Sequence, residues 1–419
     1  MVTMMPEARG VAITGLGLVL PHGVGLGAAD GVFAGRSAVA HLAGIPGIPD
    51  ATGAAVERFD PPPGTESEDR AVQFAVAAAE EAWAGAGLGR SSPPPMRAHT
   101  GPVSTRTVWP DRMAAAVSLS KGGIHVLSRI AEGRTSAEDL WSCAMPDAAT
   151  AAVAARLGIA GPAASPITAC ASGGHALLWG AGLIRRGIAE VALVGAAEAS
   201  LHPLVIGSYR RMGVLAPPGA DPAASVRPFS ATRRGFALGE GAGCLVLESE
   251  TSAARRGVKP LARVAGWAAG CQASSLTDME PSGATLARLM TDALARAGVR
   301  PEAVDYIHAH GTATLSNDLA EAQAIRAALG CAASGVSVSS TKGAHGHLLG
   351  AATAVELVLV VLAMVRGIVP PTANLTDPDP CVGLDCTPLA ARRRPIGSAL
   401  KIASGFGGQA LAIVLARPV

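Results

Sequence analysis

The chain has 419 residues, a formal net charge of +2 and a hydrophobic content of 49%. This length can bury a large core and fits two to three ordinary domains or two fused half-domains. The near-neutral charge, without a basic run that carries interleaved aromatic residues, argues against a nucleic-acid partner. Seven scattered cysteines without a Cys-x-x-Cys pair argue against a disulfide framework, and they favour reduced thiols and a cytoplasmic location.

The N-terminal part begins with a predicted strand at residues 11–14, followed by a predicted glycine-rich loop. Its glycines lack the Gly-x-Gly-x-x-Gly spacing of a dinucleotide loop, so we interpret them as packing glycines and predict no cofactor. Residues 69–83 and 147–157 are predicted helices, because their apolar residues recur at helical spacing. Residues 97–145 show little pattern, with helix and exposed loop predicted over 105–120.

The segment from Ser165 to His175 places Cys170 at a predicted turn between an extended segment and a helix. Backbone N–H groups and the positive end of the helix dipole would favour the thiolate there, and the thiolate is the nucleophilic form of cysteine. The alternative is a small buried hydrophobic residue, the usual role of an intracellular cysteine. The rest of the sequence has to decide between these roles.

Two histidine-bearing turns follow predicted strands in the second half of the chain. Residues 304–309 lead into His310, and residues 336–341 lead into Lys342 and a glycine turn that carries His347. In parallel α/β sheets, ligands bind at such carboxyl ends of strands. A single histidine of this kind is commonly structural. The two histidine turns and the turn that carries Cys170 together favour an active site.

A zinc site is the alternative for these turns, because His308, His310, His345 and His347 form two His-x-His pairs. No carboxylate is placed as an obvious further ligand, and the cysteine turn would have no role in such a site. We therefore predict no metal.

The two halves of the chain repeat an order of strand, glycine turn and helix. Glu-Ala-Trp-Ala-Gly-Ala-Gly-Leu ends a helix at residues 81–88, and Asp-Ala-Leu-Ala-Arg-Ala-Gly-Val ends another at 292–299. Such repetition predicts duplicated α/β units with largely parallel strands. The predicted halves are residues 1–257 and 258–419.

A further apolar run at residues 357–365 is too short to span a bilayer, so we predict a core helix and no membrane partner.

Together the motifs resemble the elongating 3-oxoacyl-[acyl-carrier-protein] synthases, which are β-ketoacyl synthases of thiolase-like fold. The resemblance rests on residues 168–173 around the cysteine, 308–314 and 340–350 around the histidines, and the glycine turn 405–408. It implies an α/β fold with five layers, αβαβα, built from two duplicated halves. It also implies an acyltransferase that needs no cofactor and performs decarboxylative Claisen condensation in fatty acid or polyketide-type biosynthesis.

The resemblance implies a catalytic role for each motif. Cys170 would accept an acyl group from an acyl carrier protein thioester, and the backbone N–H groups of Cys170 and Phe406 would hold the oxyanion. Phe406 would also act as a gate for the acyl chain. His310 and His347 would bind the thioester oxygen of malonyl-carrier protein and promote decarboxylation, while Lys342 orients the pair.

Supporting roles are implied for residues around these motifs. Thr312 and Thr314 would bind the malonyl or pantetheine portion of the substrate. Glu356 would be a buried acid that partners the lysine or holds a water network. Asp318 and Glu321 would stabilise the loop around the first histidine.

The chain departs from the family pattern at several positions. Ser404 stands where a second aromatic residue is usual, so the gate would be looser. His345 replaces a small hydroxyl residue and would add an ionisable group near the site. Residues 66–69, Glu-Ser-Glu-Asp, are acidic where bacterial relatives are often basic. We expect this face to repel an acidic carrier protein. Either docking uses arginines such as Arg210 and Arg211, or the donor differs from that of the family.

We expect a homodimer that works with an acyl carrier protein. The first alternative is a chain-length-factor-like partner subunit of a heterodimeric ketosynthase, which Cys170 disfavours because such partners lack the nucleophile. The second is a thiolase, which is disfavoured because thiolases use a second cysteine as base where this chain has Phe406.

Overall fold

The computed structural model describes residues 9–89, 108–134 and 144–418. The described strands are β1 Val11–Leu20, β2 Gly23–Val24, β3 Ala40–His41, β4 Thr52–Ala54, β5 Met113–Leu119, β6 Val191–Glu198, β7 Leu238–Gly239, β8 Gly241–Ser249, β9 Ala262–Cys271, β10 Tyr306–His308, β11 Ser337–Ser339, β12 Ile368–Val369, β13 Arg392–Arg393, β14 Ser398–Gly405 and β15 Gln409–Ala416. The described helices are α1 Ala29–Phe33, α2 Arg70–Gly85, α3 Ile124–Ala131, α4 Ala148–Leu157, α5 Ser172–Arg185, α6 Pro203–Arg211, α7 Glu250–Arg256, α8 Ala284–Ala297, α9 Leu315–Leu329, α10 Lys342–His345 and α11 Ala352–Arg366.

The two halves of the chain arrange their strands in the same spatial order. In the first half β1 lies next to β8, followed by β6 and β5, and in the second half β9 lies next to β15, followed by β14, β10 and β11. In both halves the first two pairs are antiparallel and the next is parallel. The predicted duplication is confirmed, but the prediction of largely parallel strands was wrong.

Helices cover both half-sheets and also separate them. Helix α2 packs on β1 and β8, and α8 packs on β9 and β15. Helices α5 and α11 pack against each other in the middle, where α11 contacts β8 of one half and β14 of the other. The half-sheets join at one edge, where Ala12 and Ile13 of β1 pair with β9. These contacts confirm the αβαβα arrangement.

Helix α11 is the core helix predicted at residues 357–365, and it is longer than predicted. Residues 349–366 have a mean hydropathy of 2.0 over 18 residues, so length and composition alone would permit a membrane span. However, 89% of this stretch is buried inside the protein. A helix that packs on all sides is hydrophobic all round, so we assign α11 to the protein core.

Strand β5 corrects the prediction of helix and exposed loop over residues 105–120. Residues 113–119 are buried and pair in parallel with β6, while 105–107 lie outside the described residues. The sequence Met-Ala-Ala-Ala-Val has little intrinsic strand preference, because alanine is depleted in strands. Burial of both faces between layers of helices decided the structure here.

Gly15 and Gly17 lie inside β1 and not in the predicted loop. A Cβ at Gly15 would lie 2.0 Å from the carbonyl oxygen of Ala82, and one at Gly17 would lie 1.8 Å from that of Ala78. Both carbonyls belong to α2, so the close approach of helix and strand requires glycine. This confirms their interpretation as packing glycines.

Candidate active site

Cys170 lies in a short 3-10 turn directly before α5. The hydroxyl of Ser172 donates to the carbonyl oxygen of Ala169 at 2.7 Å and accepts from the N–H of Thr168 at 2.9 Å. The hydroxyl of Thr353 on α11 donates to the carbonyl oxygen of Cys170 at 2.7 Å. Ala169 has a φ of 49°, an uncommon conformation for a residue with a side chain. The turn is therefore held from both sides in a strained geometry.

The electrostatics of the Cys170 thiol differ from the expectation of a ready thiolate. Burial raises the pKa of the thiol to about 11, although the charges of Lys342 and Lys121 act to lower it. A buried thiol resists ionisation because the thiolate loses its hydration. At neutral pH Cys170 keeps its proton, so the proton has to leave as the sulfur reacts.

His310 and His347 face one another in a T-shaped arrangement. Their ring centroids are 5.5 Å apart and the rings are inclined at 81°. The N–H of Leu349 donates to Nδ1 of His347 at 3.2 Å, so the neutral ring carries its proton on Nε2. Burial, reinforced by the charge of Lys342, lowers the pKa of both histidines well below the usual value. Both rings are neutral at physiological pH.

Lys342 and Glu356 form a fully buried ion pair behind the histidines. Lys342 Nζ also donates to the carbonyl oxygen of His310, which anchors the first histidine motif. Nζ of a second buried lysine, Lys401, lies 2.6 Å from the other carboxylate oxygen of Glu356. Burial raises the pKa of Glu356, but the charges of Lys342 and Lys401 outweigh this effect and hold it well below the usual value.

Glu321 and Asp318 hold the loop that carries His310. Glu321 accepts the backbone N–H groups of His310 and of the next residue. Asp318 accepts the N–H of Phe229 at 2.8 Å and lies 3.6 Å from Nε of Arg233. Both carboxyl groups are fully buried, and burial raises the pKa of Glu321 to about 7.

Phe406 follows Gly405 at the junction of β14 and β15, against the cysteine turn. A Cβ at Gly405 would lie 2.9 Å from the carbonyl oxygen of Thr168 and 3.1 Å from the backbone nitrogen of Cys170. The main chains of the two turns are therefore in contact. This contact places Phe406 beside Cys170, as an oxyanion site made from both residues requires.

Tyr209 and Phe236 connect Phe406 to His347, and neither was predicted from the sequence. The Tyr209 ring stacks on Phe406 with centroids 6.1 Å apart at 17°, and it contacts Phe236 edge-on at 6.0 Å. Phe236 in turn contacts His347 at 4.9 Å. The scarcity of aromatic residues, 3% of the chain, was the available signal, because Tyr209 is one of only two tyrosines.

These turns surround one pocket of about 650 Å³, counted out to its open mouth. The predicted site residues in its wall are Cys170, His310, Thr312, Thr314, His347 and Phe406. The hydroxyls of the two threonines are 2.9 Å apart. Ser404 also lines the wall, whereas Lys342, Glu356 and Asp318 lie behind it. The structure thus brings the predicted groups together from four separate segments.

His345 does not add an ionisable group to the pocket, contrary to the expectation. It is fully buried, its Nε2 bonds the hydroxyl of Thr341 at 2.8 Å, and its Nδ1 bonds the carbonyl oxygen of Gly346 at 2.8 Å. Burial lowers its pKa to about 3, so the ring is neutral.

Within residues 9–89, 108–134 and 144–418, no group of three or more histidine, cysteine or acidic side chains is arranged to hold a metal ion.

Asp69 does not belong to an acidic docking face, which corrects the expectation for residues 66–69. Its fully buried carboxylate caps α2 and accepts the N–H groups of Ala71, His125 and Val126 at 3.0, 3.0 and 3.1 Å. In the same segment Glu66 is exposed and the other glutamate is half-buried. The acidic surface is therefore smaller than the sequence suggests.

Two family models match the chain, residues 8–253 to the β-ketoacyl synthase N-terminal domain and residues 261–376 to the β-ketoacyl synthase C-terminal domain. The chain is 37% identical to the oxytetracycline polyketide putative β-ketoacyl synthase 1 of Streptomyces rimosus, over 98% of both chains. It is also 37% identical to the tetracenomycin polyketide synthase ketoacyl synthase alpha subunit of Streptomyces glaucescens, over 97% of both chains.

Solved structures show the same relationship. A ketosynthase structure of a type II polyketide synthase, solved with its acyl carrier protein, matches 98% of this chain and 100% of that chain, with a TM-score of 0.88 and 34% identity. A β-ketoacyl synthase from Burkholderia phymatum STM815 matches with a TM-score of 0.85 and 28% identity, again over 98% and 100%. The chain therefore belongs to the β-ketoacyl synthase family, acyltransferases of the condensing type with a thiolase-like fold.

Proposed function

We propose that this chain is the catalytic ketosynthase of a polyketide-type pathway, which condenses an acyl group on Cys170 with a malonyl group delivered by an acyl carrier protein. One observation carries the proposal: a buried cysteine at a helix N-terminus shares a single pocket with two neutral histidines. The carrier protein as partner is supported by the structural relative solved with its own carrier protein.

In the first half-reaction, Sγ of Cys170 attacks the carbonyl carbon of the acyl thioester. The backbone N–H groups of Cys170 and Phe406 hold the oxyanion that forms. The carbon–sulfur bond to the carrier then breaks, and the carrier thiol leaves with a proton. Because burial keeps the Cys170 thiol protonated, its proton is transferred during the attack and not before it.

In the second half-reaction, His310 and His347 donate hydrogen bonds to the thioester oxygen of the malonyl group. Loss of carbon dioxide leaves an enolate whose charge these donors stabilise. The enolate carbon attacks the acyl carbonyl on Cys170, a carbon–carbon bond forms, and the Cys170 sulfur leaves. Each imidazole has to be neutral, with one N–H group that donates the hydrogen bond. Burial keeps both rings in this neutral form.

The supporting residues have places that suit the implied roles. Thr312 and Thr314 line the pocket, where their hydroxyls would contact the malonyl or pantetheine portion. Glu356 partners the lysine directly, and Asp318 holds the loop around His310. Phe406 would gate the pocket by leaving its stack on Tyr209.

Helix α6 links the pocket to a basic surface that suits an acidic carrier protein. Tyr209 lines the pocket, and Arg210 and Arg211 follow it on the exposed side. Arg210 is paired with Asp50 at 2.9 Å, so Arg211 is the better contact for a carrier phosphopantetheine or carboxylate.

We infer a cytoplasmic enzyme whose halves are residues 1–257 and 258–419. The boundary between them follows Gly257, which ends α7 in a left-handed conformation.

We also propose that the chain is a dimer, as a homodimer or with a chain-length-factor-like partner. The dimer is supported by a solved structural relative, the ishigamide ketosynthase/chain length factor, which matches 98% of this chain. The presence of Cys170 favours the catalytic role over that of the partner subunit.

Intact-mass analysis of the purified protein with a panel of acyl-carrier-protein thioesters tests the proposed function. We expect an acyl-sized mass gain that is lost in Cys170→Ala. Cys271→Ser is a matched control, because Cys271 is exposed and contacts Gly407 of the neighbouring glycine turn. It should acylate like the wild type. No mass gain with any donor, or a gain that survives Cys170→Ala, would overturn the assignment of the nucleophile.

A further inference from the structure

A chain of buried polar side chains lies beneath both histidine motifs. Lys401 Nζ lies 2.6 Å from Glu356 and 3.3 Å from Nδ1 of His308. Nε2 of His308 and Nε2 of His345 both bond the hydroxyl of Thr341, at 3.0 and 2.8 Å. All five side chains are fully buried. We call Lys401, His308, Thr341 and His345 the buried polar chain.

Each end of the buried polar chain holds a peptide next to a histidine of the pocket. Lys401 Nζ donates to the carbonyl oxygen of Ala309 at 3.1 Å, and this residue directly precedes His310. At the other end, Nδ1 of His345 bonds the carbonyl oxygen of Gly346, which directly precedes His347. One connected set of hydrogen bonds therefore links both histidine motifs, in addition to the backbone pairing of β10 with β11.

A charged Lys401 gives the hydrogen bonds one direction. An ammonium group only donates, so Nδ1 of His308 must accept and its Nε2–H must donate to Thr341. The Thr341 hydroxyl then donates to Nε2 of His345, whose Nδ1–H remains for the backbone. The opposite tautomer, in which His308 Nδ1 donates to the adjacent carbonyl of Ala309 at 3.0 Å, would bring its N–H against the ammonium.

Lys401 is the second of two buried lysines beside the paired histidines. Lys401 and Lys342 share the single carboxylate of Glu356, and the further ionisable groups that face Lys401 are Glu321 from α9 and His308 from β10. Tyr306 lies beside His308 with centroids 6.1 Å apart, and burial keeps it neutral by raising its pKa. The second lysine thus adds a positive charge close to the paired histidines.

This charge acts on the histidine of the pocket in a defined direction. Burial and the charge of Lys342 lower the pKa of His310, the carboxylate of Glu356 acts to raise it, and Lys401 makes a smaller lowering contribution. Burial also lowers the pKa of Lys401 itself to about 8, so its charge is present at neutral pH and is lost as the pH rises through that value. The charge of Lys401 favours a neutral His310, and the geometry of the buried polar chain fixes the positions of both imidazoles.

We propose that Lys401 and His308 are positioning residues for the malonyl half-reaction, which through the buried polar chain hold the peptides before His310 and His347. The inference rests on the proposed function. Neither residue lines the pocket. In the described part of the protein, no hydrogen bond joins the buried polar chain to the turn that carries Cys170. The transfer of the acyl group to Cys170 should therefore not depend on the chain.

The test separates the two half-reactions in the full-length protein. Lys401→Met removes the charge but keeps a side chain of similar length, and His308→Asn keeps polar contacts without an imidazole. The exposed Lys259 provides the matched control Lys259→Met. The rate of acylation of Cys170 is measured by intact mass, and the release of carbon dioxide from malonyl-carrier protein by the acylated enzyme is measured in single turnovers from pH 5.5 to 9.

For Lys401→Met we expect acylation within about twofold of the wild type and carbon dioxide release slower by about 10- to 100-fold, as for residues that support other active sites. The acid limb of the pH profile should move to higher pH, because the pKa of His310 rises when the neighbouring charge is removed. The difference from the wild type should narrow above pH 8. His308→Asn should also slow the release while leaving acylation unchanged, and Lys259→Met should match the wild type in both steps.

Wild-type carbon dioxide release and pH profile in Lys401→Met and His308→Asn would overturn the inference. Equal losses in both half-reactions, together with a lower melting temperature, would show a structural role only and would overturn it as well. If Lys401→Met does not fold, His308→Asn decides. A wild-type protein that performs neither half-reaction would overturn the proposed function instead.

Discussion

Replacement of Gly405 by alanine should disable the oxyanion site without unfolding the protein. The new Cβ would lie 2.9 Å from the carbonyl oxygen of Thr168 and 3.1 Å from the nitrogen of Cys170, so the two turns must move apart by about half an ångström to reach ordinary contact. Gly405 has an extended backbone with φ −146°, which alanine adopts without strain. Steric displacement of the turns is therefore the expected effect.

The expected magnitude follows from what the turns do. The N–H groups of Cys170 and Phe406 have to point together at one oxygen, and the loss of one such donor typically slows catalysis by about 10²- to 10³-fold. We therefore expect acylation of Cys170, followed by intact mass, to slow by about this factor. The melting temperature should change little, because the clash is confined to the surface between two turns.

Gly182→Ala is the matched control for this prediction. Gly182 lies on α5, the helix that begins after Cys170, and a Cβ there would meet nothing within 4 Å. We expect wild-type acylation and, if anything, a small gain in stability, because alanine favours the helix by about 0.5–1 kcal/mol over glycine. Wild-type acylation by Gly405→Ala, in a protein as stable as the wild type, would refute the placement of the oxyanion site between the two turns.

Three further predictions concern buried ionisable groups and are measured by urea unfolding. Asp69→Ala leaves three backbone N–H groups without their acceptor and should lower the free energy of unfolding by about 2–4 kcal/mol, whereas an unchanged stability would show that the cap is not needed. Glu356→Gln leaves two buried lysines without their carboxylate and should cost about 3–5 kcal/mol; a loss below 1 kcal/mol would contradict a functional ion pair in the core. The pKa of His345 is about 3 in the folded protein against an ordinary value of 6.5, so its stabilising contribution is present above pH 6.5 and is lost as the pH falls toward 3. Between pH 7 and 5 the wild type should thus lose about 2 kcal/mol more than His345→Gln, and equal losses would show that His345 is not buried as a neutral ring.

The chemistry of the site could be predicted because its residues stand in short motifs. Cys170, His310 and His347 each follow a strand-like segment and precede or accompany glycines, and local sequence is sufficient to recognise such turns. The helices at residues 69–83 and 147–157 were predictable for a related reason, since their apolar spacing is a local property. Local patterns also gave the duplication, because the same order of elements occurs twice.

Other features depend on neighbours that are distant in the sequence. The alanine-rich β5 is a strand because two layers bury it, and the direction of each strand follows from the sheet in which it pairs. Tyr209 and Phe236 line the pocket because α6 meets the glycine turn at Phe406, while the segment before β7 meets both α6 and His347. No spacing in the sequence indicates these contacts.

The sequence by itself determined which side chains can react, and the order of the motifs indicated the family. Both depend only on residue type and on neighbours along the chain. The charge states were decided by the tertiary structure alone. Folding buries Cys170 and keeps its thiol protonated, turns Asp69 from a surface acid into a helix cap, and places Lys401 and Lys342 on one carboxylate. The physical reason is that the free energy of an ionisable group depends on its hydration and on nearby charges, and both are set by residues that only the fold brings together.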